Sequence, residues 1–481
     1  MQLPDDNRSL WKLTTDFFHA PAPTSPQKID VAIVGGGITG LTAAIHLQRE
    51  GKSVAIFDKG EIAGGESGNT TAHLTEAVDA RYKSIRRDFG EEGAHLVALA
   101  SREAIDSIDS LARSEGIECQ FERLSGYLYT EKESDRDWME EEAEISRQAG
   151  VAAQFLDAAP LPFQTFGAIR YENQAQFHPR KYLLGLANAF LGRGGQIYDQ
   201  TLVEKYDDGS PCTLVTSRGE FAADHLLLAA NSPLNLVLIV TKVAAYRTYA
   251  IASRITTDVI PRGLFWDTAD PYHYTRRHTS PGGEFLIIGG NDHKTGTEDE
   301  TSDCYEDLIA YAGKKYGINS VEMRWSGQIL EPVDGLPYIG LNSASRNTYI
   351  ATGFSGQGMT FGTIAGAILS DLVLGRENRY SKLFDATRIK PLASAVDYVT
   401  ENVDFPKYLL SDRLSSWDVD GKMFGDVKPG EGMVLEVEGR KLATHRAKNG
   451  TLHCFSAVCP HLKCDVRWNC LLYTSPSPRD S

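Results

Sequence analysis

The sequence predicts an α/β fold with a parallel sheet, a set of antiparallel strands and a smaller all-β segment. Three patterns support this prediction: a strand, glycine turn, helix and strand within residues 29–59, an alternation of apolar and polar residues across residues 243–288, and a shorter alternation after residue 417. A chain of 481 residues is long enough for two or three domains. Each pattern can therefore lie in a domain of its own.

Composition and charge exclude several classes of protein. The chain carries 49 Lys and Arg against 64 Asp and Glu, which disfavours a nucleic-acid partner because phosphate binding needs an excess of cations. The most apolar run, residues 234–245, is too short to span a bilayer, and residues 1–28 lack the basic start and apolar core of a signal peptide. We therefore expect a cytoplasmic protein with no membrane span, residues 1–28 forming an N-terminal arm.

The glycine turn follows directly after this arm. Residues 29–34 form an apolar, β-branched run typical of a buried parallel strand, and the next residues have G-x-G-x-x-G spacing. We expect Gly35 to make the turn and Gly37 to let a pyrophosphate approach the backbone. Gly40 lets the next helix, expected at residues 39–50, pack on the strand. The pattern predicts a Rossmann-type dinucleotide site.

A second strand, residues 53–57, completes this unit and ends at Asp58. A carboxylate at this position can accept hydrogen bonds from a ribose diol. The free N–H groups and the dipole of the helix favour phosphate at its first residues. The dinucleotide contacts expected from this unit are Gly35, Gly37, Ile38, Thr39, Gly40, Asp58 and Lys59.

Three further segments have the composition expected beside an extended cofactor. Residues 60–80 are rich in Gly, Ser and Thr, which suits a loop lying along the cofactor. A strand starting at His225 runs into small residues and Asn231. Residues 347–375 contain a strand, a glycine turn and a long helix. We expect all three segments to lie near the nucleotide.

The run Ser67-Gly-Asn-Thr-Thr-Ala72 resembles a segment of the D-amino-acid oxidase and glycine oxidase-like family of FAD-dependent oxidoreductases. The resemblance covers roughly residues 29–375 and implies that FAD is the cofactor. It implies tight packing of His73 against FAD, or covalent attachment, since some relatives attach FAD to a nearby histidine. The cofactor contacts that the resemblance adds are Ser67, Thr70, Thr71, Ala72, His73, Asn231, Gly353, Gly356, Gly358 and Met359.

The same resemblance implies two interleaved domains within residues 29–375. The FAD-binding domain would use the glycine turn, a middle piece near residues 170–231, and the C-terminal glycine turn and helix. The substrate domain would use residues 119–130 and the alternating stretch 243–288 as antiparallel strands.

Substrate recognition is expected to depart from the family pattern. Amino-acid-oxidising members pair an arginine with the substrate carboxylate, often in a W-x-G-x-R-P segment, and here Ile329 occupies the arginine position. This disfavours an amino-acid substrate unless another arginine replaces it. Surface arginines and cross-strand tyrosine packing remain alternative interpretations. The substrate-pocket candidates are Arg247, Tyr274 and Arg276, with Arg277, Tyr246, Tyr249 and Tyr272 as further possibilities.

The C-terminal part is expected to be a helical linker, residues 376–415, followed by a partial all-β domain, residues 416–469. The run Cys459-Pro-His461-Leu-Lys-Cys464 resembles the first metal-binding box of Rieske iron-sulfur domains. The resemblance implies that Cys459 binds one iron, His461 the other, and that Cys464 is a disulfide-forming cysteine. A zinc site or a plain exposed loop is the alternative.

A Rieske cluster needs two cysteines and two histidines, and His461 is the last histidine of the sequence. Residues 470–481 are polar and rich in Pro and Ser, and we expect them to be a non-native tail that replaces the second ligand box. We therefore expect a [2Fe-2S] cluster only in a full-length version of the protein.

These observations predict an FAD-dependent oxidoreductase that oxidises a small amine, imino acid or alcohol by hydride transfer to flavin, with electrons intended for a Rieske cluster. A simple FAD oxidase using O₂ is one alternative. A flavin electron-transfer protein without its own substrate is another. The electron acceptor is not indicated by the sequence.

Overall fold

The computed structural model describes residues 7–21, 29–232, 239, 242–256, 259–280, 282–295, 301–388, 424–437, 440–447 and 449–457. Within these residues the chain forms two large sheets with helices packed against them, and a small three-stranded sheet near the C-terminus. The α/β fold class expected from the sequence is confirmed.

The elements of the described residues are named in chain order. The helices are α1 (Leu10–Leu13), α2 (Ile38–Arg49), α3 (Tyr82–Ser114), α4 (Arg136–Gln148), α5 (Pro179–Gly192), α6 (Thr301–Tyr316), α7 (Gly358–Val373) and α8 (Ser381–Phe384). The first ten strands are β1 (Ile29–Val34), β2 (Val54–Phe57), β3 (His73–Leu74), β4 (Glu122–Thr130), β5 (Ala153–Leu156), β6 (Gly167–Gln176), β7 (Gln196–Tyr198), β8 (Val203–Asp207), β9 (Cys212–Thr216) and β10 (Gly219–Leu228). The others are β11 (Val243–Ile255), β12 (Leu264–Asp267), β13 (His273–Ser280), β14 (Gly283–Lys294), β15 (Met323–Pro332), β16 (Tyr338–Leu341), β17 (Thr348–Thr352), β18 (Gly432–Val437), β19 (Arg440–Arg446) and β20 (Leu452–Ser456).

The first sheet is built around the predicted strand, glycine turn, helix and strand. Its parallel strands lie in the order β17-β10-β1-β2-β7, and β16 pairs antiparallel with β17 at one edge. Ile33 at the centre faces Leu227 on one side and Ile56 on the other, and all three side chains are fully buried. Apolar runs of this kind form the interior of a sheet that is covered on both faces.

Close packing of α2 against both the sheet and α7 depends on glycine. A Cβ on Gly40 would lie 2.0 Å from the carbonyl oxygen of Gly35, so the start of α2 could not approach the end of β1. On the other side, a Cβ on Gly362 of α7 would lie 2.5 Å from Cγ2 of Ile38. The two helices therefore begin close together at the same end of the sheet.

The second sheet is almost entirely antiparallel. Its strands lie in the order β15-β11-β14-β13-β12-β4-β6-β3, β5 pairs with β6, and β12 runs parallel to β4. The strands come from chain segments that alternate with those of the first sheet, which is the interleaving that the family resemblance implied.

Two details differ from the sequence-based expectations. Residues 170–176 were expected in the FAD-binding domain, but β6, which contains them, pairs with β4 in the second sheet. The expected N-terminal arm contributes to the core, since Leu10 and Trp11 of α1 are fully buried in it.

The C-terminal sheet has the order β18-β19-β20 with antiparallel pairing throughout. Residues 389–423 and 458–481 lie outside the described residues, and they include most of the expected linker together with Cys459, His461 and Cys464. None of the helices in the described ranges combines the length and the apolar character that crossing a bilayer requires.

We predict that Gly40→Ala destabilises the protein, because the added methyl group would collide with the backbone of Gly35. Overpacking of this kind typically costs about 1–3 kcal/mol of unfolding free energy. Urea unfolding followed by circular dichroism measures the change. Gly192→Ala, at the end of α5, is the matched control, since its Cβ would have no neighbour within 4 Å. Equal stability of the two variants would contradict the packing argument.

Candidate functional site

A cavity of about 480 Å³ lies where the two sheets meet. From the first sheet it is lined by residues at the carboxyl ends of three parallel strands, including Val34, Asp58 and Ala229. From the second sheet it is lined by residues of β11, β12, β13 and β15 and their connections, such as Thr248 and Tyr274. Ligands of open α/β sheets bind at this edge of the parallel strands.

Two helix N-termini line this cavity. Gly37, which has no side chain, is the N-cap of α2, and Gln357 is the N-cap of α7 and makes no side-chain bond to its own helix. The N–H of Ile38 is instead bonded to Oγ of Ser67 at 3.2 Å. Free N–H groups and the positive end of the helix dipole stabilise negative charge, so both helices suit a phosphate or another electron-rich ligand edge.

Asp58 is held rigidly at the carboxyl end of β2. Its Oδ2 accepts the N–H of Gly36 at 2.7 Å, and its Oδ1 accepts the N–H of Gly60 at 2.9 Å. Burial raises the pKa of Asp58, and these two hydrogen bonds oppose the shift. A carboxylate has about four lone-pair sites, so Asp58 keeps the capacity to accept ribose hydroxyls that the sequence predicted for it.

His73 carries a polar atom for which the described residues provide no partner. Its Nε2 is buried and makes no hydrogen bond, while its ring packs against Tyr274 with centroids 5.7 Å apart. Burial, with a smaller contribution from the charge of Arg276, lowers the pKa of His73 to about 3. The imidazole is therefore neutral at ordinary pH. A cofactor in the cavity would supply the missing partner.

These features fit FAD. Gly35, Gly37 and the start of α2 would hold its pyrophosphate, Asp58 its ribose, and the start of α7 the electron-rich edge of its flavin. His73 would lie against the cofactor with its unpaired Nε2. Within the described residues no cluster of His, Cys, Asp and Glu side chains could hold a metal ion.

The other part of the cavity is acidic. Asp79 and Glu331 line it, and Asp292 lies close behind the lining residue Tyr272. Burial raises the pKa of Tyr272, and the negative charges of Asp292, Asp79 and Glu331 raise it further, so all three carboxylates act on this one hydroxyl.

Asp292 stands out among these carboxylates. Both of its oxygens are buried without a hydrogen-bond partner of normal geometry in the described part of the chain. Burial raises the pKa of Asp292 to about 7, Asp79 adds to the shift, and the nearby hydroxyls of Thr248 and Tyr272 oppose it. The group therefore changes between neutral and charged near physiological pH.

Most of the predicted cofactor residues line the cavity. Those that do are Gly35, Gly37, Ile38, Thr39, Asp58, Lys59, Ser67, Thr70, Thr71, His73, Asn231, Gly356, Gly358 and Met359. Gly40, Ala72 and Gly353 are not among the lining residues. Gly40 instead packs on Gly35, and Ala72 and Gly353 adopt positive φ angles of 59° and 76° in the adjoining turns.

The predicted arginines do not line the cavity. Arg276 is fully buried, and it donates to the carbonyl of Thr71 at 2.6 Å and to Oε1 of Gln176 at 2.9 Å. Arg277 is paired with Glu284. Arg247 is buried on β11, where its charge opposes the rise that burial causes in the pKa of Glu66. The geometry therefore does not support a substrate contact by any of the three.

The predicted tyrosines divide into two pairs. Tyr272 and Tyr274 line the cavity, and the hydroxyls of Tyr274 and Thr248 are 2.8 Å apart. Tyr249 is buried elsewhere against His293, with its hydroxyl 2.7 Å from Nε2. Tyr246 pairs with Ile329 across β11 and β15 and does not line the cavity.

Sequence reasoning missed several lining residues, among them Asp79, Arg81, Trp138 and Glu331. The signal for Asp79 lay in its position at the end of the Gly, Ser and Thr-rich loop. Its role appears only in three dimensions, where its Oδ2 accepts the N–H of Gly356 at 2.9 Å. That bond joins residues 277 positions apart in the chain.

We predict that Gly37→Val abolishes cofactor binding while the protein still folds. The added Cβ would lie 2.9 Å from Oγ of Ser67, a small side chain that can rotate, but its methyl groups would occupy the cavity at the start of α2. Absorbance of bound flavin measures cofactor binding, and the circular dichroism spectrum shows whether the protein is folded. Gly60→Ala, whose Cβ would be 3.8 Å from its nearest neighbour, is the control and should keep its flavin. A yellow, folded Gly37→Val protein would show that the cofactor lies elsewhere.

Comparison with known proteins agrees with this geometry. Residues 30–372 match the family model described as FAD dependent oxidoreductase, and residues 421–473 match the Rieske [2Fe-2S] domain. The chain is 32% identical to a putative Rieske 2Fe-2S iron-sulfur protein, YhfW, of Bacillus subtilis, over 96% of this chain and 91% of that protein. It is 23% identical to gamma-glutamylputrescine oxidoreductase of Escherichia coli, over 75% of this chain and 88% of that enzyme.

Solved structures give the same fold. Glycine oxidase from Geobacillus kaustophilus superposes with a TM-score of 0.65 at 22% identity, over 76% of this chain and all of that one. The two matching domains and the relative that spans nearly the whole chain account for both parts of the sequence. The chain belongs to the FAD-dependent oxidoreductase family and carries a Rieske [2Fe-2S] domain after its oxidoreductase part.

Proposed function

We propose that this protein oxidises a small amine that binds as a cation, loses one N–H proton and then gives up hydride from the carbon next to its nitrogen, so that an iminium ion is the product. The observation that carries this proposal is the negative charge of the substrate part of the cavity, which Asp79 and Glu331 line and where the charge of Asp292 also acts on the lining residue Tyr272. An alcohol, which the sequence also allowed, has no positive charge for these carboxylates to bind, and an imino acid adds a carboxylate that they would repel.

An ammonium group supplies what Asp292 lacks. It carries three N–H donors and a positive charge, and both Asp292 oxygens are without a partner of normal geometry in the described residues. The low polarity around Asp292 makes such a charge-assisted hydrogen bond stronger than it would be in water. The hydroxyl of Tyr272, beside Asp292, adds a further acceptor that does not ionise at ordinary pH because burial raises its pKa.

A carboxylate-bearing substrate is less well matched. Ile329 lines the cavity at the position where amino-acid-oxidising relatives carry the carboxylate-binding arginine. Arg81 is a cation of the lining and the best alternative anchor, but its charge also acts on Glu142, whose pKa it lowers against the effect of burial. Oxidation of an amino acid held by Arg81 is therefore the second candidate.

The residues of the cavity would bind and orient the amine. FAD, when bound, supplies the acceptor for the hydride. The aromatic side chains of Tyr272, Tyr274 and Trp266 line the cavity and would exclude water from the reacting carbon. The Tyr274 hydroxyl, fixed by its hydrogen bond to Thr248, would hold the substrate in one orientation.

We also propose that the electrons leave through the Rieske domain when this domain holds its [2Fe-2S] cluster. A Rieske centre takes one electron at a time, so it could oxidise reduced flavin stepwise instead of O₂. The match of residues 421–473 to this domain supports the route. The proposal places the protein in the cytoplasm, which the thiols of Cys119, Cys212, Cys304 and Cys454 support because none of them is in a disulfide.

We predict that Asp292→Asn weakens amine binding and removes its pH dependence. Because the pKa of Asp292 is about 7, the wild-type carboxyl is neutral below pH 7 and charged above it, so KM for an amine should fall as pH rises from 6 to 8. Losing one buried charged contact costs about 2 kcal/mol or more, which raises KM about thirtyfold at pH 8. Initial rates of flavin reduction under anaerobic conditions measure this.

Two variants separate the alternatives. Asp270→Asn changes an exposed carboxylate between β12 and β13, two residues before Tyr272, and should leave KM unchanged. Arg81→Ala should leave flavin reduction by an amine intact, whereas loss of activity on an amino acid in this variant would favour the second candidate. A KM that does not depend on pH and does not change in Asp292→Asn would contradict cation binding here. A flavin that no substrate reduces would favour a flavin electron-transfer protein.

We predict that a polypeptide of these 481 residues gives no Rieske EPR signal. Cys459 and His461 provide two of the four ligands, and no histidine follows His461. Extension with a C-x-x-H segment should produce the signal, and Cys459→Ser should remove it again. In the extended protein, substrate should reduce the cluster without O₂. A cluster that stays oxidised while the flavin is reduced would favour a simple oxidase that uses O₂.

A further inference from the structure

We infer that the N-terminal segment of residues 9–18, here called the clasp, holds the FAD site in its binding conformation. It positions the loop of residues 68–71, although it lies far from this loop in sequence. This inference rests on FAD binding in the cavity and goes beyond it, since it concerns how the chain holds the site in shape.

Side-chain donors anchor the loop by hydrogen bonds to four consecutive backbone carbonyl groups. The carbonyl of Gly68 accepts from Oγ of Ser9 at 2.5 Å, and that of Thr70 from Nε1 of Trp11 at 2.5 Å. The carbonyl of Asn69 accepts from Nε1 of Trp325 at 2.7 Å, and that of Thr71 from Nε of Arg276 at 2.6 Å. Two of the four donors therefore belong to the clasp. Backbone carbonyls of a loop seldom meet so many side-chain donors in succession, since most bond to water or backbone.

These bonds determine which side of the loop faces FAD. None of the four donor residues lines the cavity, so all four carbonyls point away from it. Ser67, Thr70 and Thr71 themselves are among the residues that line it. Holding the carbonyls outside keeps the hydroxyl groups turned inward, where they would contact the cofactor.

The clasp also binds a side chain of the loop. Nζ of Lys12 donates to Oδ1 of Asn69 at 2.8 Å. The ring of Trp11 is fully buried, with the guanidinium of Arg276 5.0 Å above it and the ring of His178 4.9 Å away. Because Trp11 contacts both the loop and Arg276, it supports two of the four donor bonds.

The far end of the clasp is anchored to the main fold. Arg180 is almost fully buried, donates to Oγ1 of Thr15 at 2.7 Å and to the carbonyl of Asp16 at 3.2 Å, and pairs with Glu61. Oε1 of Glu61 in turn accepts the N–H of Phe18 at 2.7 Å. The clasp is therefore held at both ends, and the loop beside FAD is fixed from outside the cofactor domain's own sheet.

The test compares FAD binding with stability of the apoprotein. Trp11→Phe keeps the buried ring but removes the N–H donor, and Ser9→Ala removes the hydroxyl donor to Gly68. Each leaves one buried carbonyl without its partner in an otherwise filled site. We expect the FAD dissociation constant, from titration of the apoprotein, to rise about tenfold for each variant. We also expect faster amide hydrogen exchange in residues 68–71 of the apoprotein.

Matched variants control for a general loss of stability. Ser9→Thr keeps the hydroxyl and should restore FAD affinity to within about twofold of wild type. Phe17→Ala truncates a clasp side chain that is 56% exposed and whose ring lies 4.6 Å from that of His19, so it should leave FAD affinity unchanged. Both Trp11→Phe and Ser9→Ala are small changes, so one of them should fold even if the other does not.

The outcomes are separable. Unchanged FAD affinity in Trp11→Phe and Ser9→Ala, with or without a lower melting temperature of the apoprotein, would overturn the role of the clasp. Weakened affinity in Phe17→Ala to the same degree would also overturn it, because the effect would then be general. Failure of the wild-type protein to take up FAD would instead refute the FAD site on which the inference rests.

Discussion

The contact between Gly35 and Gly40 is the constraint on which the rest of the site depends. A side chain on Gly40 would place its Cβ 2.0 Å from the carbonyl oxygen of Gly35, so only glycine lets α2 start directly at the end of β1. That close approach brings the N-terminus of α2 to the edge of the sheet. Because Gly362 allows α7 to lie against Ile38, the N-terminus of α7 arrives at the same place. The cavity exists because these two helix starts converge.

The two parts of the cavity differ in electrostatic character. Near the glycine turn, helix N-termini favour an electron-rich ligand, which suits the phosphates and the flavin edge of FAD. Around Tyr272 the carboxylates of Asp79, Glu331 and Asp292 favour a cation. A neutral His73 lies between aromatic rings of the second sheet and adds no charge of its own. The two neighbouring regions therefore suit ligand groups of opposite charge.

How much could be predicted from the sequence depended on whether the signal was local. The glycine spacing, Asp58 and the glycine turn before α7 are local patterns, and their residues line the cavity as expected. Arg276 shows the limit, because its residue type suited a carboxylate ligand, while its nitrogens are occupied by Thr71, Gln176 and Phe177. Trp11 is the opposite case, a residue that the sequence did not single out but that contacts the site. Nothing near it in sequence indicates that it donates to Thr70, since the contact spans 59 residues and depends on the tertiary fold.

Anaerobic reduction of the bound flavin by matched substrate pairs tests the central claim most directly. Butylamine and norvaline, or 1,4-diaminobutane and ornithine, differ within each pair only by the carboxylate. If the cavity binds an amine cation without a carboxylate anchor, the amine of each pair should reduce the flavin faster, by about tenfold or more for a penalty of about 1.4 kcal/mol. Faster reduction by the amino acid of both pairs would contradict the account and place a carboxylate anchor in the cavity.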